Sequence, residues 1–304
     1  MCRNMPTEQA GRFPKIRQQA AVVVAVLTAL LVVSCGSEAE PAAPSMPSVT
    51  EAAAKAEHEG LSIVVPGTLA ADIAELSKNQ QGRLGLAIMP VGGEKLVTFG
   101  DWATGPAWST MKVPLAIAAL RKSQGSPSYS TTAAITASDN SAADALWQSL
   151  GTPQEAAQAV QSVLREGGDA VTTVPATKAR AEFSAFGQAE WALADQVRFA
   201  SRLPCLPDSA EVVALMGQII PNHQWGLGSV FETADFKGGW GPDSEGAYLV
   251  RQFGLVPAAG GQIAVAFAAQ PASGNFSDGM TMLNKMATLI SQHLRELSGG
   301  QCPS

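Results

Sequence analysis

Short apolar runs with strand character stand towards both ends of this chain, and a long stretch of helical pattern separates them. Residues 83–89 and 95–99 form strand-like runs, and Pro90, Val91, Gly92, Gly93 and Glu94 between them give a hairpin signal. Residues 142–150, 153–164, 190–203 and 212–219 follow a helical period, as does the short stretch 69–76. Strand character returns at 233–238, 247–255 and 262–269, and an amphipathic helix is predicted over 277–297. A sheet fed from both ends of a chain must bring those ends together, leaving the helical middle as a second lobe beside it. The expected fold is therefore α/β (α+β): an antiparallel sheet of N- and C-terminal strands, flanked by helices, with an all-helical lobe at about 109–230. A cleft between sheet and lobe is where such a fold would hold a site.

The first 35 residues are of another kind. Arg3, Arg12, Lys15 and Arg17 form a basic start, and residues 20–33 are an apolar and small-residue run broken only by Thr28. A run this short, with these flanks, reads as an export leader over 1–34 and not as a membrane span. Ser34 directly before Cys35 resembles a bacterial lipobox, which would make Cys35 the lipidated first residue of the mature chain. The other reading is a plain leader cut nearby. Residues 35–60, rich in Ser, Glu, Ala and Pro, read as a flexible tether, and 61–304 as one domain, expected to be monomeric. The expected location is outside the cytoplasm, with the lipid on Cys35 holding the chain to the membrane.

Removing 1–34 takes four of the 20 basic and one of the 26 acidic residues, leaving 16 against 25, a net charge of −9. That balance excludes the basic footprint of a nucleic-acid binder. His58, His223 and His293 are scattered and no Cys/His/Asp spacing matches a ligand set, so neither a metal nor another cofactor is expected. Cys205 and Cys302 are left over after processing. Outside the cytosol they are either a disulfide or two separate thiols, one of them in a frayed tail.

The chemistry concentrates around Ser109. Gly105 and Pro106 run into Trp108, Ser109, Thr110, Met111 and Lys112, and apolar Met111, Leu115, Ala118 and Ala119 predict an amphipathic helix with Ser109 at its start. Pro114 is tolerated early in a helix, where the amides lack partners. Lys112 then falls one turn after Ser109 on the same side. A serine hydroxyl needs a neighbouring base, and a lysine serves when burial or nearby positive charge keeps it partly neutral. The partial positive charge of the helix start also favours an oxyanion there. Downstream stand Ser138, Asp139 and Asn140 before a helical stretch, then Lys237, Gly238, Gly239 and Trp240 after strand-like Ala234, Asp235 and Phe236. Each group taken alone also suits a capped helix or a strand ending in a glycine turn.

Taken together and in this order, Ser-x-x-Lys, Ser-x-Asn and Lys-x-Gly resemble the motifs of the penicillin-recognising serine hydrolases, most closely class A β-lactamase-like proteins, over about 61–298. The resemblance implies that Ser109 is the acylated nucleophile and Lys112 its base. Ser138 would relay a proton to the leaving nitrogen, and Asn140 would hydrogen-bond Lys112 and the substrate amide. Lys237 would attract a substrate carboxylate. Gly238, Gly239 and Trp240 would bind substrate along the strand edge, with Gly239 leaving it room. The N–H groups of Ser109 and Trp240 would form the oxyanion hole. The implied substrate is a small molecule or peptidoglycan-derived: a cell-wall peptide, a β-lactam or an ester.

Three departures qualify that likeness. Gly238 stands where the family carries Thr or Ser, so one carboxylate-holding hydroxyl is missing. The stretch from Lys112 to Ser138 is shorter than in class A enzymes, implying a trimmed helical lobe and a wider cleft. Residues 141–236 contain no Glu-x-x-Leu-Asn pattern, and nothing in the context of Glu166, Glu182 or Glu190 singles out a deacylating base. The expected function is thus an extracytoplasmic serine acyl-transfer hydrolase, inefficient as a β-lactamase. The alternative is a non-catalytic lipoprotein of the same fold that holds a cell-wall fragment. Trp102, Trp108, Trp225 and Trp240 are expected as core or cleft wall, not as a partner surface.

Overall fold

The computed structural model describes residues 67–125 and 127–303. The expected leader, Cys35 and the tether lie outside the described residues. Helix α1 (Leu69–Asn79), whose first turn is capped by Thr68, leads into the hairpin of β1 (Gly82–Pro90) and β2 (Val97–Gly100). Strand β3 (Thr104–Pro106) and a 3-10 turn at Trp108–Met111 precede α2 (Lys112–Lys122). Three helices follow, α3 (Tyr129–Thr136), α4 (Asn140–Ser149) and α5 (Pro153–Glu166). A loop then leads to a 3-10 turn (Phe186–Gln188), β4 (Glu190–Ala192), α6 (Leu193–Arg202) and α7 (Ala210–Met216). Strands β5 (Asp235–Pro242), β6 (Tyr248–Ala258) and β7 (Gly261–Pro271) and helix α8 (Phe276–Gln292) complete the order.

The five-stranded sheet runs β2-β1-β7-β6-β5, every pair antiparallel. Strand β1 pairs with β7 from Gly82 opposite Pro271 to Pro90 opposite Ile263, so the two ends of the chain meet as their pattern demands. Alternation sorts the side chains. Leu84, Leu86 and Ile88 join the core under α1 and α8, whereas Ala87 and Met89 join the core shared with α6 and the helical lobe. Strand β5 is left at the sheet edge beside that lobe.

Three local expectations change. Residues 190–192 pair with β3 as β4, so α6 begins at Leu193, whose N–H donates to Ala103 O. Ser109 lies in the 3-10 turn, and the α-helix proper starts at Lys112. Helix α2 is not amphipathic: the nine residues from Lys112 to Leu120 are all buried. It packs against α3, α4 and α5, and a helix surrounded on all sides needs no polar face.

Two links tie the lobes together. Cys205, just after α6, forms a disulfide with Cys302 across a sequence separation of 97, with Cα atoms 5.4 Å apart, which resolves the two readings of these cysteines. Arg251 on β6 is wholly buried. Its Nη1 donates to Gly105 O (2.9 Å) and Pro106 O (3.0 Å) on β3, and its Nη2 to Trp191 O (3.0 Å) on β4 and Gln196 Oε1 (2.9 Å) on α6. The guanidinium carbon lies 5.3 Å from the Trp102 ring centroid, and burial lowers its pKa to about 9. Arg251 thereby fixes the strand that delivers Ser109. Arg251→Leu leaves these acceptors without their donor and is expected to cost about 3 kcal/mol or more, read from denaturant unfolding of the purified domain.

Candidate active site

The turn between α3 and α4 is where the site begins. Asp139 N–H donates to Ala133 O, and Asp139 Oδ1 caps α4 by accepting from Ala142 N–H at 2.7 Å. Ser138 is forced to φ +55°, a left-handed conformation that costs a non-glycine residue on the order of 1 kcal/mol. In exchange, both oxygens of Ser138 reach lysines. Lys112 Nζ, at the head of buried α2, donates to Ser138 O (2.6 Å) and Asn140 Oδ1 (2.7 Å) and stands 3.4 Å from Ser138 Oγ. Lys237 Nζ, from edge strand β5, donates to the same Ser138 Oγ (2.9 Å) and to Gly238 O (2.9 Å). Four of the five sequence-selected polar residues, Lys112, Ser138, Asn140 and Lys237, thus form one hydrogen-bonded cluster in which both lysines reach the Ser138 hydroxyl.

Burial shapes the charge of both lysines. It brings Lys112 down to about 7, against the opposing pull of Asp139 and Asp144. Lys237 falls well below its ordinary value, first by burial and then through the charge of Lys112. Desolvation, and not repulsion from Lys237, is thus what leaves Lys112 about half neutral at pH 7.

Ser109 is partly exposed beside this pair, and its hydroxyl makes no hydrogen bond to a described residue. Strand β5 approaches closely: a Cβ on Gly239 would lie 2.9 Å from both Ser109 N and Thr110 N. Only glycine lets the strand pass so near the serine turn. The cleft has a volume of about 260 Å³ and is lined by Ser109, Lys112, Asn140, Trp240, Tyr248 and the loop residues that precede the Phe186–Gln188 turn. Arg180 Nη1 donates to Pro242 O, pinning that loop to the end of β5, and its guanidinium covers the Phe183 ring at 4.4 Å.

The departure at Gly238 has a steric cause. A Cβ there would meet the Trp225 ring at 2.6 and 2.8 Å, so the space of the missing hydroxyl is filled with indole. Trp225 and His223 both pack edge-on against Trp240, with ring centroids 5.9 and 5.1 Å away. Burial, then the charges of Lys237 and Lys112, pushes the His223 pKa down. Trp102, Trp108 and Trp225 are buried, and Trp240 is half-buried at the cleft wall.

The three glutamates separate by position. Glu166 pairs with Arg121 at the end of α5, and Glu190 lies on β4 away from the Ser109 cleft. Glu182 does line the cleft, but it is largely exposed and bound to Arg180. Asp144, Lys178 and Ser184 are among the lining residues that the sequence does not single out. Asp144 had a signal, since it follows Asn140 by four positions on one helix face. The loop residues had none.

This architecture is that of the class A β-lactamases, the fold of the penicillin-recognising serine hydrolases. The extended-spectrum β-lactamase TLA-1 matches with a TM-score of 0.61 at 15% identity, over 75% of this chain and 98% of its own. The class A β-lactamase from Mycobacterium abscessus gives 0.60 at 17%, over 74% and 98%. An ancestral class A β-lactamase gives 0.57 at 18%, over 74% and 99%. At such identities the likeness is one of fold. Neither a protein-family model nor a curated protein matches the chain.

Gly238→Thr is expected to destabilise the domain by about 1–3 kcal/mol through overpacking against Trp225. Trp225→Leu in the same chain should recover part of that loss, measured as the shift in unfolding midpoint.

Proposed function

We propose that this protein is a serine acyl-transfer hydrolase, exported and held to the membrane through a lipid on Cys35. It would act on a cell-wall peptide, a β-lactam or an ester. The observation that carries the reading is the single Ser138 hydroxyl reached by both lysine ammoniums beside Ser109. In this scheme neutral Lys112 takes the proton of Ser109 as the serine oxygen attacks the acyl carbon. The N–H groups of Ser109 and Trp240 receive the developing oxyanion. Ser138 passes a proton to the departing group, and Lys237 holds a substrate carboxylate. With Trp225 in the space of a second carboxylate-holding hydroxyl, turnover of β-lactams would be slow. The Cys205–Cys302 disulfide supports an oxidising location. No helix among the described residues is long and apolar enough to cross a membrane.

Intact-mass spectrometry after mixing with a penicillin and with an activated ester tests the reading. The wild-type protein should gain the acyl mass, and Ser109→Ala should not. Failure of both reagents to leave any adduct would refute the enzyme and favour the fragment-binding alternative. A low Lys112 pKa also fixes a direction with pH. Raising the pH through about 7 deprotonates Lys112, so the rate of adduct formation should climb through that range and level off above it.

A further inference from the structure

Water regenerates an acylated serine efficiently only if it is activated next to the ester, so turnover would need a base in the cleft for that second step. The ionisable groups around it can be sorted by what already occupies them. Lys112 is already assigned to the Ser109 proton, and its bonds to Ser138 O and Asn140 Oδ1 fix it for that role. Asp139 spends Oδ1 on the N-terminus of α4. Glu182 sits at the rim with its side chain 57% exposed and paired to Arg180. Lys178 carries the wrong charge for the task, and His223 packs on Trp240 and does not line the cleft.

Asp144 is different. It stands one turn beyond Asn140 on α4, so its side chain shares the face that carries Asn140 towards Lys112. It lines the same cleft as Ser109, half-buried, and lies close enough to Lys112 to pull on that lysine's charge. Ser184 Oγ, from the loop across the cleft, donates to its Oδ1 at 3.3 Å and leaves Oδ2 without a hydrogen bond among the described residues. One oxygen is thereby held while the other is left for a proton.

We propose that Asp144 is the general base for acyl-enzyme hydrolysis and that Ser184 positions it, an assignment that rests on the Ser109 acylation reading above. As a water oxygen bonds to the acyl carbon, one water proton passes to Asp144. When the bond between that carbon and Ser109 Oγ breaks, the proton returns to Ser109 Oγ by way of Lys112, and the free acid leaves. Every group is restored and no further reactant is consumed.

The experiment follows the adduct in time on the purified full domain. Protein is acylated with a penicillin or an activated ester, excess reagent is removed, and the bound mass is read by intact-mass spectrometry. Asp144→Asn should acquire the adduct no more slowly than wild type, because losing the carboxylate charge leaves Lys112 more often neutral, and should keep it at least about a hundredfold longer. Asp144→Glu, which retains a carboxylate, should stay within about tenfold of wild type. Ser184→Ala should lengthen the lifetime only several-fold. The proposal is overturned if Asp144→Asn leaves decay unchanged, or if Glu182→Gln is the variant that prolongs the adduct. It is equally overturned if Asp144→Asn slows formation instead of decay, since Asp144 would then act through Lys112. A wild-type adduct that never decays also overturns it while leaving the acylation reading standing. Absence of any wild-type adduct removes both.

Discussion

Two ammonium groups buried around one serine hydroxyl are an unfavourable arrangement unless the surroundings compensate. Here the compensation comes from fixed dipoles: Ser138 O, Ser138 Oγ and Asn140 Oδ1 on one side, Gly238 O on the other. Those acceptors sit on a tight turn, the first residue of a helix and an edge strand, so each lobe must be in register for the pair to be satisfied. Folding also holds Lys112 at about 7 against an ordinary 10.5, so the unfolded chain binds the extra proton more readily between those values. This group therefore makes stability rise with pH across that window. Below it the folded chain carries the cost of the charged Lys112 in full.

The frame that supports the pair is equally specific. Arg251 reaches from the middle of the sheet to β3, β4 and α6, and the chain leaves β3 directly into the serine turn. The guanidinium's planar fork makes four bonds, holding β3 and β4 by their carbonyls and α6 through the Gln196 side chain, one more than the three donors of a lysine allow. Its burial beside Trp102 keeps water from competing for those carbonyls.

Much of this was legible beforehand, and the reasons differ by element. The sheet could be read because β1, β6 and β7 bury nearly every residue, and such strands leave continuous apolar runs. That Lys112, Ser138, Asn140 and Lys237 belong together could be read because their order and spacing resemble a known set of motifs. Short β4 could not, since three residues ahead of a helix share its pattern and pair only through tertiary contact with β3. The burial of α2 on all sides was also hidden, because alanines satisfy both a face and an interior. Asp144 was overlooked beside its more conspicuous neighbours, and the cleft-lining loop carries no periodicity at all.

The indole packed over Gly238 has a consequence for how such a cleft can change over generations. Adding a hydroxyl to the strand collides with Trp225, while shrinking Trp225 first opens a void against Trp240. Neither step is neutral by itself, so the route to a hydroxyl-bearing strand motif crosses a valley that only a paired replacement avoids. The aromatic wall and the bare strand are therefore one unit, and either can be exchanged without loss only together with the other.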